Sequence, residues 1–160
     1  ELARKTAAAI TAYAAENHAD VIVFEYLEMQ GKISGNKKQR LHLWRKRDIQ
    51  KQCEHQAHRQ GIRVSRISAR NTSRLAYDGS GPVVRNPENH SLCIFQTGKQ
   101  YNCDLSASYN IGARYFIREL LKSLSATEES RVKAKVPDVG RRTSCTLSTL
   151  RTLVKELAAA

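Results

Sequence analysis

Apolar positions recur through residues 2–17 at Leu2, Thr6, Ala9, Ile10, Tyr13 and Ala14. That spacing, in alanine-rich sequence, predicts a first helix. The pattern then changes. "DVIVFEYL" carries an unbroken apolar run from Val21 to Phe24, β-branched or aromatic throughout. Such a short run predicts a strand buried on both faces, as in a parallel sheet. Glu25 closes the run, which puts a carboxylate at the strand's carboxyl edge, where open α/β sheets place their ligand sites.

Gly31, Gly35 and Asn36 interrupt the pattern in "EMQGKISGNKKQR", and Lys32, Lys37, Lys38 and Arg40 charge it, so the stretch reads as a mobile basic loop. Helical spacing returns from Gln39 to Gln60. Leu41, Trp44, Ile49, Cys53 and Ala57 line one face, flanked by Arg45, Lys46, Arg47 and Lys51. Gly61 is the expected stop. "IRVSRI" alternates, with Ile62 and Val64 on one side. Strand, helix, strand predicts a right-handed β-α-β unit with parallel strands.

Residues 69–101 are rich in Asn, Ser, Gly and Pro, and Arg70, Arg74 and Arg85 stud them. "SLCIF" is expected to pair with "PVVR" as a hairpin within an insertion outside the core. A helix is expected from Asp104 to Leu124, burying Leu105, Ser108, Ile111, Gly112, Tyr115, Leu120 and Leu124. Residues 125–160 read as a basic tail, a linker marked by Pro137 and Gly140 and then an amphipathic terminal helix on Leu147, Leu150, Val154 and Leu157. The fold class is α/β.

Charge narrows the function. The 160 residues hold 27 Lys and Arg against 15 Asp and Glu, a net charge of +12. That excess suits a polyanionic partner, most simply nucleic acid, with an anionic membrane surface as the second reading. No apolar run approaches the roughly 20 residues that span a bilayer, so no membrane segment is expected. Cys53, Cys93, Cys103 and Cys145 form no C-x-x-C pair, which argues against a zinc site or a disulfide framework and suits a reducing cytoplasm. His55 and His58 lack a third ligand, Trp44 reads as core, and neither a phosphate loop nor a Ser-His-Asp order stands out.

Two acids remain as candidate chemistry. Asp104 heads a helix, where it is either a cap or one jaw of a metal site. Glu25 at a strand edge is either a solvated loop residue or the other jaw. Carboxylates gathered at one sheet edge suit Mg²⁺, which takes oxygen ligands.

Three segments, in this order, are "DVIVFEYL", "QRLHLWRKRDIQKQCEHQAHRQGIRVSRISARNTS" and "YNCDLSASYNIGAR". As an ordered set over roughly residues 1–120, they resemble the carboxyl-terminal half of TnpB/OrfB proteins, the transposon-associated RNA-guided nucleases related to type V CRISPR effectors. The resemblance implies an RNase H-like, RuvC-type mixed sheet with flanking helices over residues 1–124, a degenerate zinc-ribbon insertion at 69–101, and Mg²⁺-dependent DNA cleavage with a guide RNA. Glu25 matches the family's second catalytic acid and Asp104 its third, both as Mg²⁺ ligands. Thr72 and Ser73 match the "TS" that opens the ribbon, and Asn110 and Arg114 the polar pair of the last core helix. Lys37, Lys38, Arg40, Arg45, Thr72, Ser73, Arg74 and Arg114 are the expected nucleic-acid contacts. The family's first catalytic aspartate falls ahead of residue 1, so this chain alone is expected to bind nucleic acid but cut poorly or not at all. Ala76 and Gly79 stand where the ribbon's first cysteine pair belongs, and Ile94 and Thr97 near the second, so no zinc is expected.

Overall fold

The computed structural model describes residues 1–26 and 37–159, the stretch 37–44 as backbone. The expected basic loop and the side chains of Lys37, Lys38, Arg40, Leu41 and Trp44 lie outside the described residues. The chain divides into two compact units, Glu1–Arg66 and Ile67–Ala160. It is a mixed α/β protein of helices and two small sheets.

The first unit is built from helix α1 (Leu2–Glu16), strand β1 (Val21–Tyr26), helix α2 (Lys37–His58) and strand β2 (Arg63–Ser68), whose last residues enter the second unit. β1 and β2 are neighbours in a two-stranded sheet. β1 is half-buried along Val21–Glu25 rather than fully buried. The inner face of α1 is not the expected stripe. Ala7, Thr11 and Ala14 are buried, whereas Leu2 and Tyr13 are 70% and 69% exposed. Small residues face α2, where Cys53 and Ala57 are also fully buried, and Cys53 Sγ reaches the Ala7 carbonyl at 3.8 Å. Close helix approach therefore selects the small side chains, and the large ones turn outward. α2 stops as expected: Gly61 adopts φ +73°, and Ile62 N–H donates to the Ala57 carbonyl at 3.0 Å, the six-to-one bond of a glycine-ended helix.

The second unit holds strands β3 (Val84–Arg85), β4 (Leu92–Ile94) and β5 (Gln100–Asn102), helices α3 (Cys103–Lys122) and α4 (Ala126–Lys135), a short 3-10 helix (Pro137–Gly140) and helix α5 (Leu147–Ala158). The expected hairpin forms: β3 pairs antiparallel with β4, Val84 opposite Ile94, and β5 adds a third strand. The segment 69–101 shares a small core with the start of α3, with Ala76, Cys93, Phe95 and Cys103 buried against Tyr77, Val83 and Tyr101.

Residues 125–160 are no loose tail. Val132, Val136, Val139, Cys145 and Leu153 form a cluster with Ile117 of α3, and Leu150 and Leu157 pack against it. Ser125 caps α4 in a reciprocal box: its Oγ accepts from Glu128 N–H, and its own N–H donates to Glu128 Oε2 at 2.9 Å. Thr146 and Thr149 cap α5 likewise.

Candidate functional site

Asp104 sits in the first turn of α3, and it is not the cap. Asn102 takes that role, its Oδ1 accepting from the backbone N–H groups of Asp104 at 2.9 Å and Leu105 at 3.0 Å. The Asp104 carboxylate is exposed and has no hydrogen-bond or ion-pair partner among the described residues. It is therefore spared the commonest structural duty of an acid at a helix start.

Glu25 lies inside β1, not after it, and Tyr26 follows as the last strand residue. The Glu25 carbonyl accepts Gln50 Nε2 at 3.0 Å, which ties the strand to α2. Its carboxylate pairs with Lys46 Nζ at 3.5 Å. Lys46 is 60% exposed, so the pair is worth at most about 1 kcal/mol and yields readily to a stronger cation. Glu25 belongs to the first unit and Asp104 to the second. Carboxylate oxygens are the kind of ligand Mg²⁺ takes. Among the described residues, no three His, Cys, Asp or Glu side chains gather to hold a metal ion.

The cysteines are all buried and free. Burial, reinforced by neighbouring Cys103, pushes the Cys93 thiol up to about 11, and burial also raises Cys53 and Cys145. The positions corresponding to a ribbon's first pair are closed. Ala76 is fully buried, and Gly79, at φ +83°, lies where an added Cβ would come within 2.8 Å of Ser148 Cβ.

The polar pair on α3 has structural occupations. Asn110 is fully buried. Its Nδ2 donates to the carbonyls of Thr72 at 3.0 Å and Leu75 at 2.9 Å, and its Oδ1 accepts Leu147 N–H at 3.2 Å. Arg114, 5% exposed, donates from Nε to the Cys145 carbonyl, from Nη1 to those of Ser68 and Arg70, and from Nη2 to that of Thr143. Four of the guanidinium's five N–H groups are thus spent on backbone. Burial lowers its pKa from the ordinary value. Arg114 braces the loop after β2 instead of presenting itself to a phosphate.

The other expected contacts divide by exposure. Thr72 is buried, its Oγ1 donating to the Ala69 carbonyl at 2.8 Å, and Ser73 is half-buried. Arg45 and Arg74 are exposed. The expected buried face of α3 also shifts: Leu105 is 52% exposed, while Ser106, Asn110, Ala113 and Ile117 are buried with Arg114 and Tyr115.

One cluster had no clear sequence signal, because its members come from separate stretches of the chain: a turn, the residue after β4, β5 and α3. Tyr77 packs its ring against Phe95 at 5.6 Å, Tyr101 at 5.1 Å and Tyr109 at 5.2 Å. Lys99 Nζ stands 5.0 Å from the Tyr77 ring centre and 4.8 Å from that of Tyr101, and donates to the Tyr77 hydroxyl at 2.6 Å. That hydrogen bond raises the Lys99 pKa and holds the ammonium charged.

No helix among the described residues is long and apolar enough to cross a membrane. No protein-family model matches the chain, and no curated protein sequence matches it.

Proposed function

We propose that the chain is the nucleic-acid-binding part of an RNase H-like, RuvC-type DNA endonuclease of the transposon-associated, RNA-guided kind, with Glu25 and Asp104 as ligands of Mg²⁺. One observation carries the reading: Asp104 stands exposed and unpartnered among the described residues at the head of α3, while Asn102 does the capping. The ordered motifs around Glu25 and Asp104 supply the family and the reaction. In such a site, the bound cation would activate water and stabilise the leaving oxygen of a phosphodiester. This chain's part is narrower. β1 and α3 fix two carboxylates on regular elements, and a surplus of Lys and Arg holds the phosphate backbone.

Mn²⁺ titration tests the metal assignment. Wild-type chain is expected to bind Mn²⁺, and both Glu25→Gln and Asp104→Asn are expected to weaken binding at least tenfold, as loss of a charged ligand does. Unchanged binding in both variants rules the pair out. The second reading is a catalytically decayed module that binds DNA or RNA without cutting it. The Lys46 partner of Glu25 favours it, as does the lack of a three-ligand group among the described residues. Under that reading, Mn²⁺ binding is absent from the start while nucleic-acid affinity persists.

A further inference from the structure

The aromatic cluster around Tyr77 is more than the packing of a small sheet requires. Phe95 is buried at 2% exposure and suffices as a core residue. Tyr109, however, leaves 43% of its surface in solvent, and Leu105, four residues earlier on the same face of α3, leaves 52%. Behind Tyr109 the rings are fixed. Tyr77 lies 5.2 Å away and is itself packed against Tyr101 at 5.1 Å and Phe95 at 5.6 Å. An exposed ring already held in one orientation loses little entropy when another ring stacks on it. Lys99 caps the same cluster, and its ammonium has three donors, of which Tyr77 takes one.

A rigid aromatic face beside a cation matches the two parts of a nucleotide. The base has a π-face and the phosphate a negative charge. The charge of the chain selects the same partner, since Lys and Arg outnumber Asp and Glu by 27 to 15. Asp78, next to Tyr77 in the chain, is within electrostatic reach of Lys99. Lys99 is the cation set against these rings, which marks its side of the cluster for the phosphate backbone.

We propose that Tyr109, backed by Tyr77 and Tyr101, is a stacking subsite for an unpaired base of a single-stranded nucleic acid, and that Lys99 takes the adjoining phosphate. This rests on the nucleic-acid reading above, and it adds a place and a strandedness. A base inside a duplex has no free face, so the subsite selects single strands.

The test is fluorescence anisotropy of the full chain with labelled oligothymidine and oligouridine of about 15 nucleotides, and with a duplex as control. Tyr109→Ala is expected to weaken single-strand binding about tenfold, the usual scale of one lost stacking contact, with duplex affinity within about twofold. Tyr109→Phe keeps the ring and is expected to bind like wild type. Lys99→Ala is expected to lower the salt slope by about 0.7, one phosphate on a single strand. Thermal melting of each variant checks folding. A stronger effect on oligothymidine assigns the subsite to DNA, and one on oligouridine to RNA. Tyr109→Ala binding like wild type, or losing duplex and single strand alike, overturns the subsite and leaves the Mn²⁺ assignment of Glu25 and Asp104 untouched. Wild-type chain that binds no oligonucleotide overturns the subsite and the nucleic-acid reading together.

Discussion

The side-chain amide of Asn110 donates to the carbonyl of Thr72 across 3.0 Å, joining the middle of α3 to the turn that follows β2. The same side chain reaches Leu75 and Leu147, so one buried residue joins three separate segments. Asn110→Ala is expected to cost about 3 kcal/mol, because two carbonyls and an N–H lose their partner in the interior. Asn110→Asp is expected to cost more, since a carboxylate presents an acceptor to the carbonyls of Thr72 and Leu75. Urea denaturation of the two variants checks the order.

Arg114→Lys tests whether charge or geometry matters on the same helix. A lysine keeps the charge but has no planar fork to meet four carbonyls. It is expected to lose about 2 kcal/mol or more, and Arg114→Met more still, with hydrogen exchange accelerated at residues 68–72. Nucleic-acid affinity at constant fold is expected to change little, because the guanidinium already has its partners.

Gly79 allows no side chain. Its φ of +83° strains any L-residue, and the Ser148 Cβ is 2.8 Å from where a Cβ would lie. Ser148 N–H is itself fixed by the Tyr77 carbonyl at 3.0 Å, so it does not retreat freely. Gly79→Ala is expected to destabilise by about 2 kcal/mol. Gly79→Cys combined with Ala76→Cys is expected to lower the melting temperature without conferring Zn²⁺ binding, as a chelator-competition titration would report.

Acid sensitivity of the first unit has a named contributor. Arg66, bonded to Glu54 at 2.9 Å, holds the Glu54 carboxyl below its ordinary value of 4.5. A lowered pKa in the fold means stability that is present above the ordinary value and lost as pH falls through the lowered one. Glu54→Gln is expected to flatten the fall in melting temperature between about pH 5 and pH 3. The pair is part-exposed, so the effect at neutral pH is at most about 1 kcal/mol.

The two residues at the head of α3 are expected to separate cleanly. Asn102→Ala removes the cap and is expected to cost about 1 kcal/mol. Asp104→Asn is expected to cost no more than about 0.5 kcal/mol, the loss of one favourable charge near a helix start. Thermal melts distinguish them, and a large loss for Asp104→Asn would give it a structural role after all.

The elements with strong local signals were readable from the residues: β1 from its apolar run, α2 up to its glycine stop, the β3–β4 hairpin, and α3 to within a residue or two at each end. Faces were harder. Counting large apolar residues put Leu2, Tyr13 and Leu105 inside, yet α1 is packed by alanine and threonine, and the inner face of α3 is partly polar. Asn110 and Arg114 are buried because distant carbonyls need donors, and helical spacing does not carry that information. The packed segment opens with a capping box at Ser125 and Glu128, but a basic composition and a proline disguised it as a tail. The aromatic cluster was invisible because Tyr77, Phe95, Tyr101 and Tyr109 meet only after folding.

The segment 143–147 supplies two carbonyls to Arg114 and one N–H to Asn110. A chain cut short at residue 124 would strand both side chains and uncover the apolar flank of α3 at Ile117. Shortened versions that stop after α3 are thus liable to aggregate, and their silence in an assay would report lost anchorage.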